Sequence, residues 1–187
     1  MKLHIKNMVC DRCKTAVRHE LENHGLRPLA VTLGEVELAG DLDAARREAL
    51  GKGLQALGFE LLDDLKEKSV ERIKNAVVEL VHYQDTEPLR FNHSEYIARK
   101  VGREYNYLSG LFSESEGVTI EKYIIGQKIE RAKELLLYGQ LSLGEIADRL
   151  RYSSVQHLSN QFKKVTGLTP GQFRQQPENQ RKALDEV

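Results

Sequence analysis

The chain has 187 residues, 40% of them hydrophobic, with 28 Lys plus Arg set against 28 Asp plus Glu. That length holds one large domain or two small ones, and a formal charge of zero excludes a globally basic coat, so any nucleic-acid surface must be local. There is no apolar run of about 18 residues, and the opening MKLHIKNMV alternates apolar with charged residues; neither a signal peptide nor a membrane partner is expected, and the protein reads as cytoplasmic. Two cysteines cannot build a disulfide framework.

The hydrophobic period switches repeatedly over the first 64 residues. Leu3 and Ile5 alternate with charged neighbours as in a half-buried strand, and Cys13, Val17 and Leu21 then fall on one helical stripe. Leu29, Val31 and Leu33, followed by Val36 and Leu38, predict two strands about a turn at Gly34-Glu35. Asp43 caps a predicted helix with Leu50, Leu54 and Leu57 on its buried face, although Gly51 and Gly53 weaken it. Gly58 is placed to stop that helix, and FELL makes a last strand. The order strand, helix, strand, strand, helix, strand predicts a ferredoxin-like α+β fold.

Both cysteines lie in NMVCDRCKTAV, where the first strand gives way to the first helix. A Cys in the loop and another in the first helical turn bring two sulfurs close, and the helix N-terminus, Arg12 and Lys14 favour their thiolates. Two soft thiolates on an exposed loop suit Cu(I); Hg(II) and Zn(II) are further candidates, though Zn(II) prefers four ligands and none of His4, His19 and His24 has a ligand-like spacing to the pair. A redox dithiol and two inert buried thiols are the other readings of the same residues.

The motif Met8-x-Cys10-x-x-Cys13 at this place resembles the heavy-metal-associated domain of copper chaperones and metal-exporting ATPases. The family usually shows Gly-Met-Thr-Cys-x-x-Cys; here Asn7 stands for the glycine and Val9 for the threonine, while Gly58-Phe59 falls where the family has a small residue and an aromatic. The resemblance implies Cys10 and Cys13 as metal ligands. Met8 is expected to tuck under the loop rather than ligate.

From Leu65 the chain turns helical. LKEKSVERIKNAVVELVHYQD carries Val70, Ile73, Val77, Leu80 and Val81 on one stripe and serves as connector and first helix of a second core. It has no Gly or Pro and no Ser-rich spacer, so it is expected to transmit orientation. An internal repeat follows. Ile97, Ala98, Val101, Leu108, Phe112, Gly117 and Tyr123 recur about 50 residues on as Ile146, Ala147, Leu150, Leu158, Phe162, Gly167 and Phe173.

Each unit reads as helix, turn, helix. In the second, Ser142 and Glu145 predict a capping box, and Val155, Gln156, Ser159 and Asn160 fall away from the Leu158 and Phe162 core stripe. Such a face can read base edges through amides and hydroxyls, or it can be an ordinary solvated helix face. The helix between the units, from Ile120 to Tyr138, is about 28 Å long and suits two reading helices about one DNA turn apart. Lys163, Lys164 and Arg174 are placed for phosphates.

EIADRLRYSSVQHLSNQFKKVTGLTPGQFR and IERAKELLL resemble the closing pattern and linker helix of the AraC/XylS transcription regulators, over Lys68 to Gln175. By position, the resemblance implies that Tyr105, Asn106, Ser109 and Gly110 form a first reading face and Val155, Gln156, Ser159 and Asn160 a second. The family's Gly-Phe before the second reading helix is here Arg151-Tyr152.

The expected protein is an N-terminal ferredoxin-like βαββαβ sensor domain (1–64), a connecting helix (65–85), an all-α tandem helix-turn-helix domain of AraC type (86–176) and a polar tail (177–187). Its expected activity is metal-responsive transcription regulation, with Cu(I) as ligand and double-stranded DNA as partner; it is not expected to be an enzyme, and a homodimer is among the assemblies open to it. In the alternatives, the small domain senses thiol redox state or makes protein contacts, or the chain is a metallochaperone.

Overall fold

The computed structural model describes residues 1–83, 92–175 and 181–187. The boundaries expected at 85/86 and 176/177 lie outside the described residues. The chain divides into two compact units, Met1–Ala76 with His93–Leu111 and Val77–Asn92 with Phe112–Val187.

In the first unit, β1 (Lys2–Lys6), α1 (Asp11–Asn23), β2 (Pro28–Thr32), β3 (Glu35–Leu38), α2 (Ala44–Ala56) and β4 (Glu60–Leu62) follow in order. The strands form one antiparallel sheet in the order β2-β3-β1-β4. Leu3 and Ile5 of β1 and Val36 and Leu38 of β3 point to one face, where Val17 and Leu21 of α1 and Leu50 and Leu54 of α2 complete a buried core. Asp43 caps α2 by accepting the Arg46 N–H at 2.8 Å, and Gly58 closes its far end at φ 86°. Of the two glycines inside α2, Gly53 has a packing reason: a Cβ there would run into the Glu20 carboxylate of α1.

Three expectations change here. The hairpin turn is Leu33-Gly34, with Glu35 already paired to Thr32 in the ladder. Leu29 faces solvent at 67% exposure, because an irregularity between Pro28 and Ala30 breaks the alternation. Leu57 is half exposed, because it is the C-cap of α2 and leaves the helical stripe.

The connector is a docked helix. The helix α3 (Leu65–Val78) starts where Asp64 accepts the Lys66 and Glu67 N–H groups, and it lies along the sheet face that α1 and α2 leave uncovered. His4 and Glu35 point to that face, and Arg72 Nε lies 3.5 Å from Glu35 Oε1. Val70, Ile73 and Asn75 are buried. The same unit contains α4 (His93–Val101) and the first residues of α5 (Tyr105–Glu116).

In the second unit, α6 (Ile120–Tyr138) is the central element, packed by α7 (Leu143–Arg149), α8 (Val155–Thr166) and α9 (Pro170–Gln175) around Ile129, Ala132, Leu136, Ile146, Leu158, Phe162 and Phe173. The repeat is physical. Phe112 meets Tyr123 and Phe162 meets Phe173 with the same 5.5 Å between ring centroids, and Thr119 and Thr169 cap α6 and α9 with the same 3.2 Å bond. Residues 181–187, expected as a polar tail, lie against α6: Gln127 donates to the Leu184 carbonyl at 2.9 Å and the Lys182 N–H to Glu130 at 3.0 Å.

After α3 the chain makes a π-helical turn, Glu79–Tyr83, which buries His82 with its Nε2 2.9 Å from Gln127 Oε1. Burial is the largest cause of a lowered His82 pKa; the Gln127 hydrogen bond and Glu134 oppose it, and Arg131 and Arg181 add to it. The unfolded state therefore binds more protons than the folded one as pH falls through the ordinary histidine range, and stability falls with it. Unfolding free energy from urea titration should drop between pH 7.5 and 5.5, and His82→Gln should shrink that drop. An unchanged drop in the variant would exclude His82 as its source.

Candidate nucleic-acid interface and thiol pair

The thiol loop is built on one unusual backbone position. Asn7 ends β1 at φ 70°, a left-handed conformation that costs most side chains about 1 to 2 kcal/mol and that Asn tolerates better than most. Its side chain donates to the Gly58 carbonyl at 3.0 Å and its N–H to Glu71 Oε1 at 3.1 Å, so both donors are satisfied. The chain then buries Met8 completely in the core, under the loop, and presents Cys10 as the N-cap of α1.

Cys10 and Cys13 are both free thiols, half-buried, with sulfurs 3.3 Å apart. Their environments differ. Burial raises the Cys10 pKa, but hydrogen bonds from the Cys13 N–H, the Cys13 thiol and the Arg12 N–H, with the Arg12 charge, outweigh it and the net shift is downward. For Cys13 burial dominates and the Cys10 sulfur adds to it, so its pKa rises. Arg12 thus favours the Cys10 thiolate as expected, whereas the expected help for Cys13 is outweighed by its burial; Lys14 is spent on an ion pair with Asp11. Among the described residues no third His, Cys, Asp or Glu joins the pair into a group of three. His4 lies by Glu35 and His24 by Glu20. The donor set is two thiols, which fits a soft ion of low coordination number.

The second helix-turn-helix has the expected capping box and two further caps. Ser142 and Glu145 form a reciprocal capping box on α7, Ser154 accepts the His157 N–H to cap α8, and Gly167 ends α8 at φ 80°. The turn between α7 and α8 places Arg151 at φ 58°, matching Gly102 at φ 74° in the first copy. The turn is therefore formed with Arg in place of glycine, and Tyr152 after it is buried. Burial raises the Tyr152 phenol to about 12. Lys128 of α6 lies 5.3 Å over its ring, and burial, then the Arg151 charge, lowers that lysine to about 8.

On α8, Val155, Gln156 and Asn160 are exposed and Ser159 is half-buried, with Leu158 and Phe162 fully buried behind them. Gln156 Nε2 donates to Asn160 Oδ1 at 2.7 Å, which leaves an acceptor on Gln156 and a donor on Asn160 facing outward. That pair matches the donor and acceptor that adenine shows in the major groove. Lys163 and Lys164 in the last turn and Arg174 on α9 are exposed. On α5, Asn106 and Gly110 are exposed and Tyr105 and Ser109 half-buried, with Leu108 and Phe112 fully buried. Sequence reasoning passed over Tyr107, 55% exposed on α5, and His157, its exposed equivalent on α8, whose Nδ1 lies 3.0 Å from Ser153 Oγ. The repeat itself pairs these two positions and was the available signal.

A helix-turn-helix domain family matches residues 97–176. The described residues of this span thus belong to a helix-turn-helix domain. Among curated proteins, the chain is 29% identical over 106 residues to the HTH-type transcriptional regulator YtdP of Bacillus subtilis (57% of this chain, 13% of that protein). It is 31% identical over 111 residues to the Msm operon regulatory protein of Streptococcus mutans (59% of this chain, 39% of that one). A solved transcriptional regulator of Chromobacterium violaceum, described as AraC-type, is 28% identical over 57% of this chain and 95% of its own, with a TM-score of 0.47. The chain spans well under two thirds of the length of these curated relatives. Among the described residues no helix is long and apolar enough to cross a membrane.

The thiol asymmetry has a direct readout. At neutral pH, under anaerobic reducing conditions, iodoacetamide should label Cys10 several-fold faster than Cys13, as mapped by peptide mass, because only the thiolate reacts. Equal labelling would remove the electrostatic account of the pair.

Proposed function

We propose that this protein is a metal-responsive, sequence-specific DNA-binding transcription regulator whose signal is Cu(I) held by Cys10 and Cys13. The observation that carries the DNA-binding part is the tandem repeat: two copies of one helix-turn-helix with the same left-handed turn position, the same threonine cap after the second helix and ring pairs at the same spacing, each turning a mostly polar face outward. Gln156 and Asn160 would read base edges, Val155 a thymine methyl, and Tyr105, Asn106 and Ser109 a second half-site. Lys163, Lys164 and Arg174 would hold phosphates. The curated relatives are named as transcription or operon regulators, which supports the same reading.

The input part rests on the small domain, which we read as ferredoxin-like and of the heavy-metal-associated kind. Its support is the element order, the strand order β2-β3-β1-β4 and the position of two close thiols at the β1–α1 junction. A soft ion there would be gripped by the Cys10 thiolate, which Arg12 and the backbone N–H groups at the α1 N-terminus favour, with Cys13 as the second sulfur. A second reading is a redox dithiol, favoured by the 3.3 Å sulfur separation and the split acidities: Cys10 thiolate attacks an external disulfide, Cys13 resolves the mixed disulfide, and the oxidant leaves as two thiols.

Replacing both Cys10 and Cys13 by Ser should abolish Cu(I) retention against a competing chelator while leaving the circular dichroism and urea midpoint near parent values. Equal copper affinity would end the copper reading. Met8→Leu, inside the core, should change affinity little.

Gln156→Ala and Asn160→Ala should each weaken binding to a selected DNA site by about 1 to 3 kcal/mol and relax preference at a few positions. Lys163→Ala should weaken all DNA alike and flatten the salt dependence. Unchanged sequence preference in the Gln156 and Asn160 variants would show that α8 does not present the reading face.

A further inference from the structure

The thiol loop and the first reading face, Tyr105 to Ser109, belong to the same compact unit. Within that unit α3 touches the thiol loop and the end of α4, the helix that precedes that face. Its buried Glu71 accepts the Asn7 N–H at 3.1 Å, three residues before Cys10. The next residue, Arg72, donates through Nη2 to the Lys100 carbonyl at 3.0 Å, with its Nε by Glu35. Lys100 is in the last turn of α4, where carbonyls have no partner within the helix, and Gly102 then turns the chain into α5. Arg72 therefore ties α3 to the joint that sets the direction of the first reading helix.

Movement at the sulfurs has few ways out. Asn7 is pinned at its side chain to Gly58 and at its N–H to Glu71, so a rearranged 7–10 loop must either strain a left-handed residue or draw Glu71 with it. A buried carboxyl that loses a donor is costly, so following is the cheaper course. Glu71 and Arg72 are adjacent on one rigid helix, and a shift of one is a shift of the other against the Lys100 carbonyl.

We propose that the state of the thiol pair is delivered to the first reading helix through Glu71 and Arg72 of α3, acting as positioning residues. This rests on the reading above in taking the thiols as input and α5 as a reader, but it does not require that the input be copper. It also places the coupling in the side-chain contacts of α3 rather than in the continuity of the connector alone.

The test uses the full chain in three states: reduced, oxidised at Cys10–Cys13 with diamide, and loaded with Cu(I). Backbone hydrogen exchange is read at residues 5–14 and 100–111. In the parent, oxidation should change exchange at both segments by about threefold or more. In Arg72→Gln, a substitution at a 40% exposed side chain, the change at 5–14 should persist and that at 100–111 should fall below about 1.5-fold. Glu71→Gln, which keeps the volume and one acceptor, should reduce it in the same direction. A parent with no change at 100–111, or an Arg72→Gln chain that keeps the parental change, overturns the proposal. If Cu(I) leaves exchange and DNA affinity untouched while oxidation acts on 100–111 through Arg72, the copper reading fails and the α3 path stands.

Discussion

Both candidate sites depend on residues that hold the left-handed region at the corners of the chain. Forcing an ordinary L-residue there costs about 1 to 2 kcal/mol, which is why Gly102, Gly117, Gly139 and Gly167 stand at the corners between helices. Among the described residues two side-chain-bearing positions accept that cost, Asn7 and Arg151, and each borders a site. Asn7 repays part of it with two hydrogen bonds that fix the thiol loop. Arg151 sets the angle at which α8 leaves α7, and it adds a positive charge that depresses the neighbouring Lys128. A glycine at either place would relieve strain and give up that local function.

Placement of α8 shows how the corner becomes a surface. Once Arg151 has turned the chain and Ser154 has capped the helix, Leu158 and Phe162 can enter the core only if Gln156 and Asn160 face out, since positions four apart share a face. The two amides then bond each other and lose much of their rotamer freedom before any ligand arrives. A face ordered in advance pays less entropy on binding than one of free side chains. An i,i+4 amide pair of this kind also forms on ordinary solvated helix faces, so it orders the face without by itself making it a reading face.

Much of this was legible in the sequence because it is periodic or local. The stripe of Val17 and Leu21, the Asp43 cap, the Ser142–Glu145 box and the Ile120–Tyr138 helix each rest on residues a few positions apart, and each formed as the spacing predicted. The repeat was legible because a shift of about 50 residues carries a whole ring pair with it. Of the site residues, the exposed positions on α8 follow directly from its stripe, whereas Tyr107 was lost among neighbours that the first copy's polar residues made ambiguous.

What the sequence concealed is long-range and polar. Nothing in LKEKSVERIK marks Glu71 as a buried acceptor for Asn7 or Arg72 as a brace on Lys100, because charge on a helix ordinarily means solvent. The same holds on α6, where Gln127, Glu130 and Lys133 are nearly as buried as the leucines. Glu130 meets Lys133 at 2.6 Å and the Lys182 N–H at 3.0 Å, and Gln127 bonds His82, Tyr123 and the Leu184 carbonyl. A buried pair of this kind adds little net stability over apolar residues, since desolvation offsets most of the attraction. Its worth is directional: Glu130 meets the Lys182 N–H and Gln127 the Leu184 carbonyl, two points that hold residues 181–187 along α6. Both units thus use the same device, polar groups from distant segments meeting on a helix, to fix where that helix docks, and it is invisible to any pattern shorter than the fold.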